Sequence, residues 1–118
     1  MLDRLPILIV EDEPMLAMLL AEEVESLDGV VVATPDTVAS ALAVLDTQIV
    51  AAAIMDANLV DRNITPVALR LLDAAIPFVI YTGTGLPPEL SPRAGEISVV
   101  MKPGRPMATL VALIESRR

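Results

Sequence analysis

The chain has 118 residues, 54% of them hydrophobic and almost none aromatic, so one domain spanning residues 1–118 can bury an aliphatic core. It has no cysteine and no histidine, which excludes disulfides, thiolate or imidazole metal ligands, and Ser-His-Asp catalysis. A net charge of −8 without a basic cluster argues against nucleic-acid binding. Because no signal-peptide pattern and no bilayer-spanning apolar run is present, we expect a soluble cytoplasmic protein without a membrane partner.

Apolar runs alternate with helical patterns along the chain. The runs that predict strands are Leu5–Val10, Val30–Ala33, Ile49–Met55, Pro77–Tyr81 and Ile97–Met101. The residues that mark helix starts are Pro14, Asp36 or Thr37, Thr65–Pro66 and Arg105–Pro106, with the last helix running through about Ser116. The residues predicted to face inward from the first helix are Leu16, Leu19, Leu20, Val24 and Leu27. This alternation predicts an α/β fold with a doubly wound, five-stranded parallel sheet.

The segment 84–95 breaks this alternation, because it holds three prolines and two glycines where another helix would stand. Pro88 and Pro92 each remove an amide donor and obstruct the preceding turn. We therefore predict at most one helical turn in this segment and loop elsewhere, so that the fourth helix of the fold is short or absent.

Charged side chains follow three of the predicted strands. Glu11 and Asp12 end the first, Asp56 ends the third, and Lys102 ends the fifth. In a parallel sheet with strand order 2-1-3-4-5 these ends share one edge, where ligands bind at the reversal of strand order. Clustered carboxylates need a hard cation, so we predict a site for Mg²⁺ (or Mn²⁺) made by the three acids and the backbone carbonyl of Asn58, with Glu11 acting through a coordinated water.

Asp56 is also the candidate nucleophile of this edge. A carboxylate can attack a phosphoryl group and hold it as an acyl phosphate. Lys102 and the hydroxyl of Thr82, which ends the fourth strand, can neutralise or bind the phosphoryl oxygens.

Four segments resemble the receiver domain of two-component response regulators: Ile-Leu-Ile-Val-Glu11-Asp12, Ile-Met-Asp56-Ala-Asn-Leu, Tyr-Thr82-Gly83 and Met-Lys102-Pro103. The resemblance covers essentially the whole chain and implies a flavodoxin-like fold. It implies that Asp56 is the phosphoacceptor, that Glu11 and Asp12 bind metal, that Thr82 is the switch hydroxyl, and that Lys102 contacts phosphate and precedes a cis Pro103. It further implies two kinds of partner: a sensor histidine kinase or His-phosphotransfer protein as donor, and a downstream protein target.

Some residues depart from the family pattern. Val99 stands where receivers usually carry an aromatic residue on the fifth strand. The segment Pro-Phe78-Val-Ile-Tyr-Thr-Gly83 resembles the atypical FAT GUY receiver subgroup, but Gly85 replaces that subgroup's tyrosine. Tyr81 is a candidate for part of the aromatic role, and reordering of the loop at residues 83–96 is a candidate activation step.

The residues leave other functions open. A receiver fold that signals without stable phosphorylation is one, and a magnesium-dependent aspartyl-phosphate hydrolase is another. Asp56 could cap a helix, and Lys102 could be only its ion-pair partner. The last helix has surplus apolar residues, Met107 or Leu113, which either form a surface for a weak homodimer or are buried.

Overall fold

The computed structural model describes residues 2–117 and contains a single five-stranded sheet among them. The strands are β1 (Pro6–Val10), β2 (Val30–Ala33), β3 (Ala52–Met55), β4 (Phe78–Thr82) and β5 (Ser98–Met101). All neighbouring strands are parallel, and their order is β2-β1-β3-β4-β5. The predicted α/β class, the five parallel strands and their order are therefore confirmed.

Helices connect the strands. They are α1 (Pro14–Ser26), α2 (Val38–Thr47), α3 (Thr65–Asp73), a 3₁₀ helix (Pro88–Glu96) and α4 (Pro106–Glu115). Proline occupies the first turn of α1, α3 and α4, where a missing amide hydrogen leaves no bond unmade. Thr37 caps α2, since its hydroxyl oxygen accepts a hydrogen bond from the amide of Ser40 at 3.1 Å.

The sheet separates two apolar clusters. Side chains of α2, α3 and the 3₁₀ helix pack on one face, and side chains of α1 and α4 pack on the other. Because successive strand residues point to opposite faces, Ile80 joins the first cluster and Tyr81 the second. Met107 is buried and Leu113 is half-buried against the second cluster, which supports the interpretation of α4 as a buried helix.

Two predicted details of the apolar pattern are wrong. The third strand begins at Ala52 rather than Ile49, and Ile49 is 84% exposed in the link that follows α2. Leu19 is exposed on α1, although we predicted it to face inward. It lies about 100° around the helix from buried Leu20, outside the stripe that contacts the sheet.

The proline-rich segment is more helical than predicted. Residues Pro88–Glu96 form nine residues of 3₁₀ helix instead of at most one turn, although a short helix at this position agrees with the expected fold. Leu90 anchors the segment because its side chain is fully buried in the first cluster. Arg93 adds ion pairs to Glu96 at 2.6 Å and to Asp73 at 3.6 Å. Tertiary contacts thus hold a backbone whose prolines disfavour an α-helix.

Within residues 2–117, none of the helices has both the length and the apolar character needed to cross a membrane.

Candidate functional site

Three carboxylates meet where β1 and β3 end. Val10 and Met55 are paired in the sheet, and the amide of Asp56 donates to the carbonyl of Val10 at 2.9 Å. This register brings the residues after each strand side by side. Carboxylate oxygens of Glu11, Asp12 and Asp56 all lie within 4.8 Å of one another. The structure therefore brings together the three acids that the sequence singled out.

Lys102 joins this cluster from the end of β5. Its Nζ atom lies 3.3 Å from Glu11 Oε1 and 3.2 Å from Asp56 Oδ2. The second carboxylate oxygens of Glu11 and Asp56 are also bonded. Glu11 Oε2 accepts the Glu13 amide at 3.1 Å, and Asp56 Oδ1 accepts the Ala57 amide at 2.7 Å. These bonds fix the orientation of both carboxylates. The Lys102–Pro103 peptide bond is cis.

The electrostatics of the site follow from burial. Burial raises the pKa of Glu11 above its ordinary value of 4.5, and the charge of Asp56 raises it further. The hydrogen bond from the Glu13 amide and the charge of Lys102 lower this pKa, but they do not offset the increase. Burial lowers the pKa of Lys102, but its bonds and charge interactions with Asp56 and Glu11 outweigh this and raise it above 10.5. The ammonium of Lys102 therefore stays charged at neutral pH.

The donor set fits a hard divalent cation. Three carboxylates and one ammonium leave excess negative charge on oxygen atoms, which are the ligands that Mg²⁺ prefers. Asn58 lies in a tight turn closed by bonds from Leu59 to Arg62 and from Ile64 to Ala57. These bonds flank Asn58 and do not use its carbonyl, so that oxygen is compatible with the predicted role as a ligand.

Thr82 lies fully buried at the end of β4, with its hydroxyl bonded to a neighbouring loop residue. Its Oγ1 atom accepts the amide of Thr84 at 3.0 Å and lies 3.1 Å from Thr84 Oγ1. Thr84 Oγ1 also accepts from the side-chain amide of Asn58 at 2.9 Å. A chain of hydrogen bonds therefore links Thr82 to the loop that follows Asp56.

Solved structures resemble this chain along nearly its full length. SdrG from Sphingomonas melonis Fr1 is 38% identical with a TM-score of 0.79, and the match covers 98% of this chain and 99% of that chain. SdrG from Pseudomonas melonis Fr1, in a BeF3-activated conformation, is 41% identical with a TM-score of 0.73 and coverage of 97% and 98%. The receiver (REC) domain of the response regulator PhyR from Erythrobacter litoralis shares the fold at 22% identity, with a TM-score of 0.74 and coverage of 95% and 90%.

The chain belongs to the response regulator receiver family. This receiver is thus a component of two-component signalling. It matches no protein-family model and no curated protein.

Tyr81 does not occupy the place of the aromatic residue missing at position 99. Val99 of this receiver packs in the cluster on the α2 and α3 face, whereas Tyr81 packs on the α1 and α4 face. The sheet therefore separates the two side chains. This geometry does not support the interpretation that Tyr81 takes over part of the role of the strand-five aromatic.

Two hydrogen-bonding residues were not predicted from the sequence, one beside Thr82 and one in the loop after Asp56. The amide of Thr84 donates to the hydroxyl oxygen of Thr82. The sequence carries a signal for this bond, since Ser and Thr side chains often accept from the amide two residues ahead. Asp61 accepts the amides of Val38 at 2.9 Å and Ala39 at 3.1 Å, which caps α2 from a distant loop. The sequence holds no signal for a cap that is 23 residues from its helix.

Proposed function

We propose that this receiver accepts a phosphoryl group on Asp56, with Mg²⁺ or Mn²⁺ held by Glu11, Asp12, Asp56 and the carbonyl of Asn58. The observation that carries the proposal is the convergence of three carboxylates within 4.8 Å, two of them bonded to one lysine ammonium. A divalent cation in this site would neutralise charge on the phosphoryl oxygens, so that the Asp56 carboxylate could approach the negatively charged phosphoryl group.

The donor in this proposal is a phosphohistidine of another protein, because this chain has no histidine. A carboxylate oxygen of Asp56 forms a bond to phosphorus as the phosphorus–nitrogen bond breaks, and the imidazole leaves with the electron pair and takes up a proton. Lys102 already lies 3.2 Å from Asp56, within reach of a group attached there. A sensor histidine kinase or a His-phosphotransfer protein carries the donor.

The output in this proposal begins at Thr82. A phosphoryl oxygen on Asp56 is a stronger acceptor than the neutral hydroxyl of Thr84, so the Thr82 hydroxyl turns toward it. That movement breaks the chain of hydrogen bonds through Thr84 to Asn58. The segment 83–96 is then free to reorder and to present a changed surface to a downstream protein.

Intact-mass measurement tests the proposal directly. Wild type, Asp56→Asn and the control Asp73→Asn, which alters an exposed aspartate at the end of α3, are incubated with Mg²⁺ and acetyl phosphate. We expect one added phosphoryl group on wild type and on the control, and none on Asp56→Asn. Addition to all three proteins, or to none, contradicts the assignment of Asp56.

A receiver-fold interaction module that signals without phosphorylation is the second candidate. It is favoured by Val99, which leaves the fifth strand without the family's usual aromatic residue. Unmodified wild type that still binds Mg²⁺ in the same experiment is the result that this candidate predicts.

A further inference from the structure

Tyr81 contacts both the side chain and the backbone around Lys102. The centroid of its ring lies 5.7 Å from Lys102 Nζ, and its hydroxyl donates to the carbonyl of Gly104 at 2.8 Å. The same side chain thus reaches the ammonium and the turn that follows β5. Tyr81 is 7% exposed, so its position is fixed by packing.

The turn that Tyr81 holds is compact. The amide of Gly104 donates to the carbonyl of Met101 at 2.7 Å, and the amide of Lys102 donates to the carbonyl of Thr82 at 2.8 Å. A Cβ atom on Gly104 would lie only 2.7 Å from the Met101 oxygen, so a larger residue does not fit there. Fixing the Gly104 carbonyl therefore fixes the backbone from which the Lys102 side chain extends.

The ring restricts the lysine side chain itself. A lysine has a flexible four-carbon stem whose rotamer freedom must be lost to hold the ammonium in one place. An aromatic ring within about 6 Å of an ammonium attracts it through its negative face. The Lys102 side chain is a quarter exposed. Without the ring, its ammonium could therefore move into water and away from Glu11 and Asp56.

We propose that Tyr81 is a positioning residue for Lys102. Its ring holds the ammonium beside Asp56, and its hydroxyl holds the turn that carries the lysine. The role rests on the proposed function in one respect, namely that Lys102 must meet a phosphoryl group on Asp56. A leucine would fill the apolar space of Tyr81 but would make neither contact.

Kinetics test this role with three variants. Tyr81→Phe keeps the ring and loses the hydroxyl, Tyr81→Leu loses both, and Phe78→Leu is the matched control, an aromatic-to-leucine change on the same strand but the opposite face. The initial rate of phosphorylation by acetyl phosphate is measured at saturating Mg²⁺, with thermal melting to compare stability. We expect Tyr81→Leu to be roughly three- to tenfold slower than Phe78→Leu, with Tyr81→Phe between wild type and Tyr81→Leu.

The single lysine of the sequence allows a direct measurement of position. Selective ¹³C labelling of lysine gives NMR signals from Lys102 alone. We expect the ring current of Tyr81 to shift the ε-proton signals of wild type and Tyr81→Phe, and Tyr81→Leu to lose this shift. Phe78→Leu should retain it, because Phe78 packs on the far face of the sheet.

The outcomes separate this role from the proposed function. Wild-type rates and unchanged lysine signals in Tyr81→Leu overturn the positioning role, while loss of modification in Asp56→Asn still supports the phosphoacceptor. If wild type takes up no phosphoryl group, the proposed function fails, and the lysine signals of the metal-free proteins alone decide the role of Tyr81. An equal loss of rate in Tyr81→Leu and Phe78→Leu, with unchanged lysine signals, also overturns it.

Discussion

Lys102→Met removes the ammonium from the acidic cluster and keeps a side chain of similar length. In wild type the ammonium lies 3.2 Å from Asp56 and 3.3 Å from Glu11. Without it, the carboxylates face each other with no cation between them. We expect the metal-free variant to be less stable than wild type. We also expect it to bind Mg²⁺ more tightly, because the ammonium repels the ion and occupies the same carboxylates.

The geometry sets the size of the effect. Coulomb's law gives about 5 kcal/mol for one charge pair at 3.2 Å with an effective dielectric constant near 20. Loss of one partner from a fully buried pair costs about 3–5 kcal/mol. The side chain of Lys102 is 25% exposed and partly screened, so the expected cost is about 1–3 kcal/mol. That corresponds to a roughly 5- to 150-fold change in the unfolding equilibrium.

Thermal melting in EDTA and titration with Mg²⁺ measure the two effects. Arg105→Met is the control, because it removes one positive charge from an exposed residue at the start of α4. Lys102→Met should melt lower than the control in EDTA and should gain more stability from saturating Mg²⁺. Equal melting temperatures in EDTA together with equal Mg²⁺ affinities would refute the electrostatic reasoning.

Three further predictions concern single residues. Glu11 has a raised pKa, so its ionisation as pH rises from 4.5 through that pKa costs the folded state stability. In EDTA, the melting temperature of wild type should therefore fall relative to that of Glu11→Gln over this pH range. Melting temperatures of the two proteins that change in parallel with pH would contradict this. Asp61 has a pKa lowered below 3.8, chiefly by the first amides of α2, so Asp61→Ala should melt lower than wild type at pH 7, with the difference disappearing as pH falls through that pKa. Thr84→Val removes the hydroxyl that bonds the Thr82 hydroxyl, so amide NMR signals of residues 83–96 should move toward those of BeF3-treated wild type. Unchanged signals would count against the hydrogen-bond chain.

The fold could be predicted because buried parallel strands leave a direct mark in the sequence. The inner strands β1, β3 and β4 are covered on both faces by helices and therefore appear as continuous apolar runs. The candidate site followed from the same fact, since Glu11 and Asp56 come directly after paired strands and must meet at one edge. Helix starts marked by proline could also be predicted from the sequence, because the preference of proline for the first turn of a helix is a local property.

Other features depended on contacts between distant segments. The 3₁₀ helix forms because Leu90 enters the core and Arg93 pairs with Asp73, neither of which follows from its proline content. The exposure of Ile49 likewise depends on where α2 ends and β3 enters the sheet.

The amino-acid order alone determined which groups stand at the strand ends, because continuous apolar runs define the strands and the residue after each run is then fixed. Only the folded chain decided what those groups touch. Thr82 bonds Thr84, and Tyr81 reaches Lys102 and Gly104 from the face opposite Val99. Such contacts depend on side-chain direction and on the separation of packed segments, which a linear pattern does not encode.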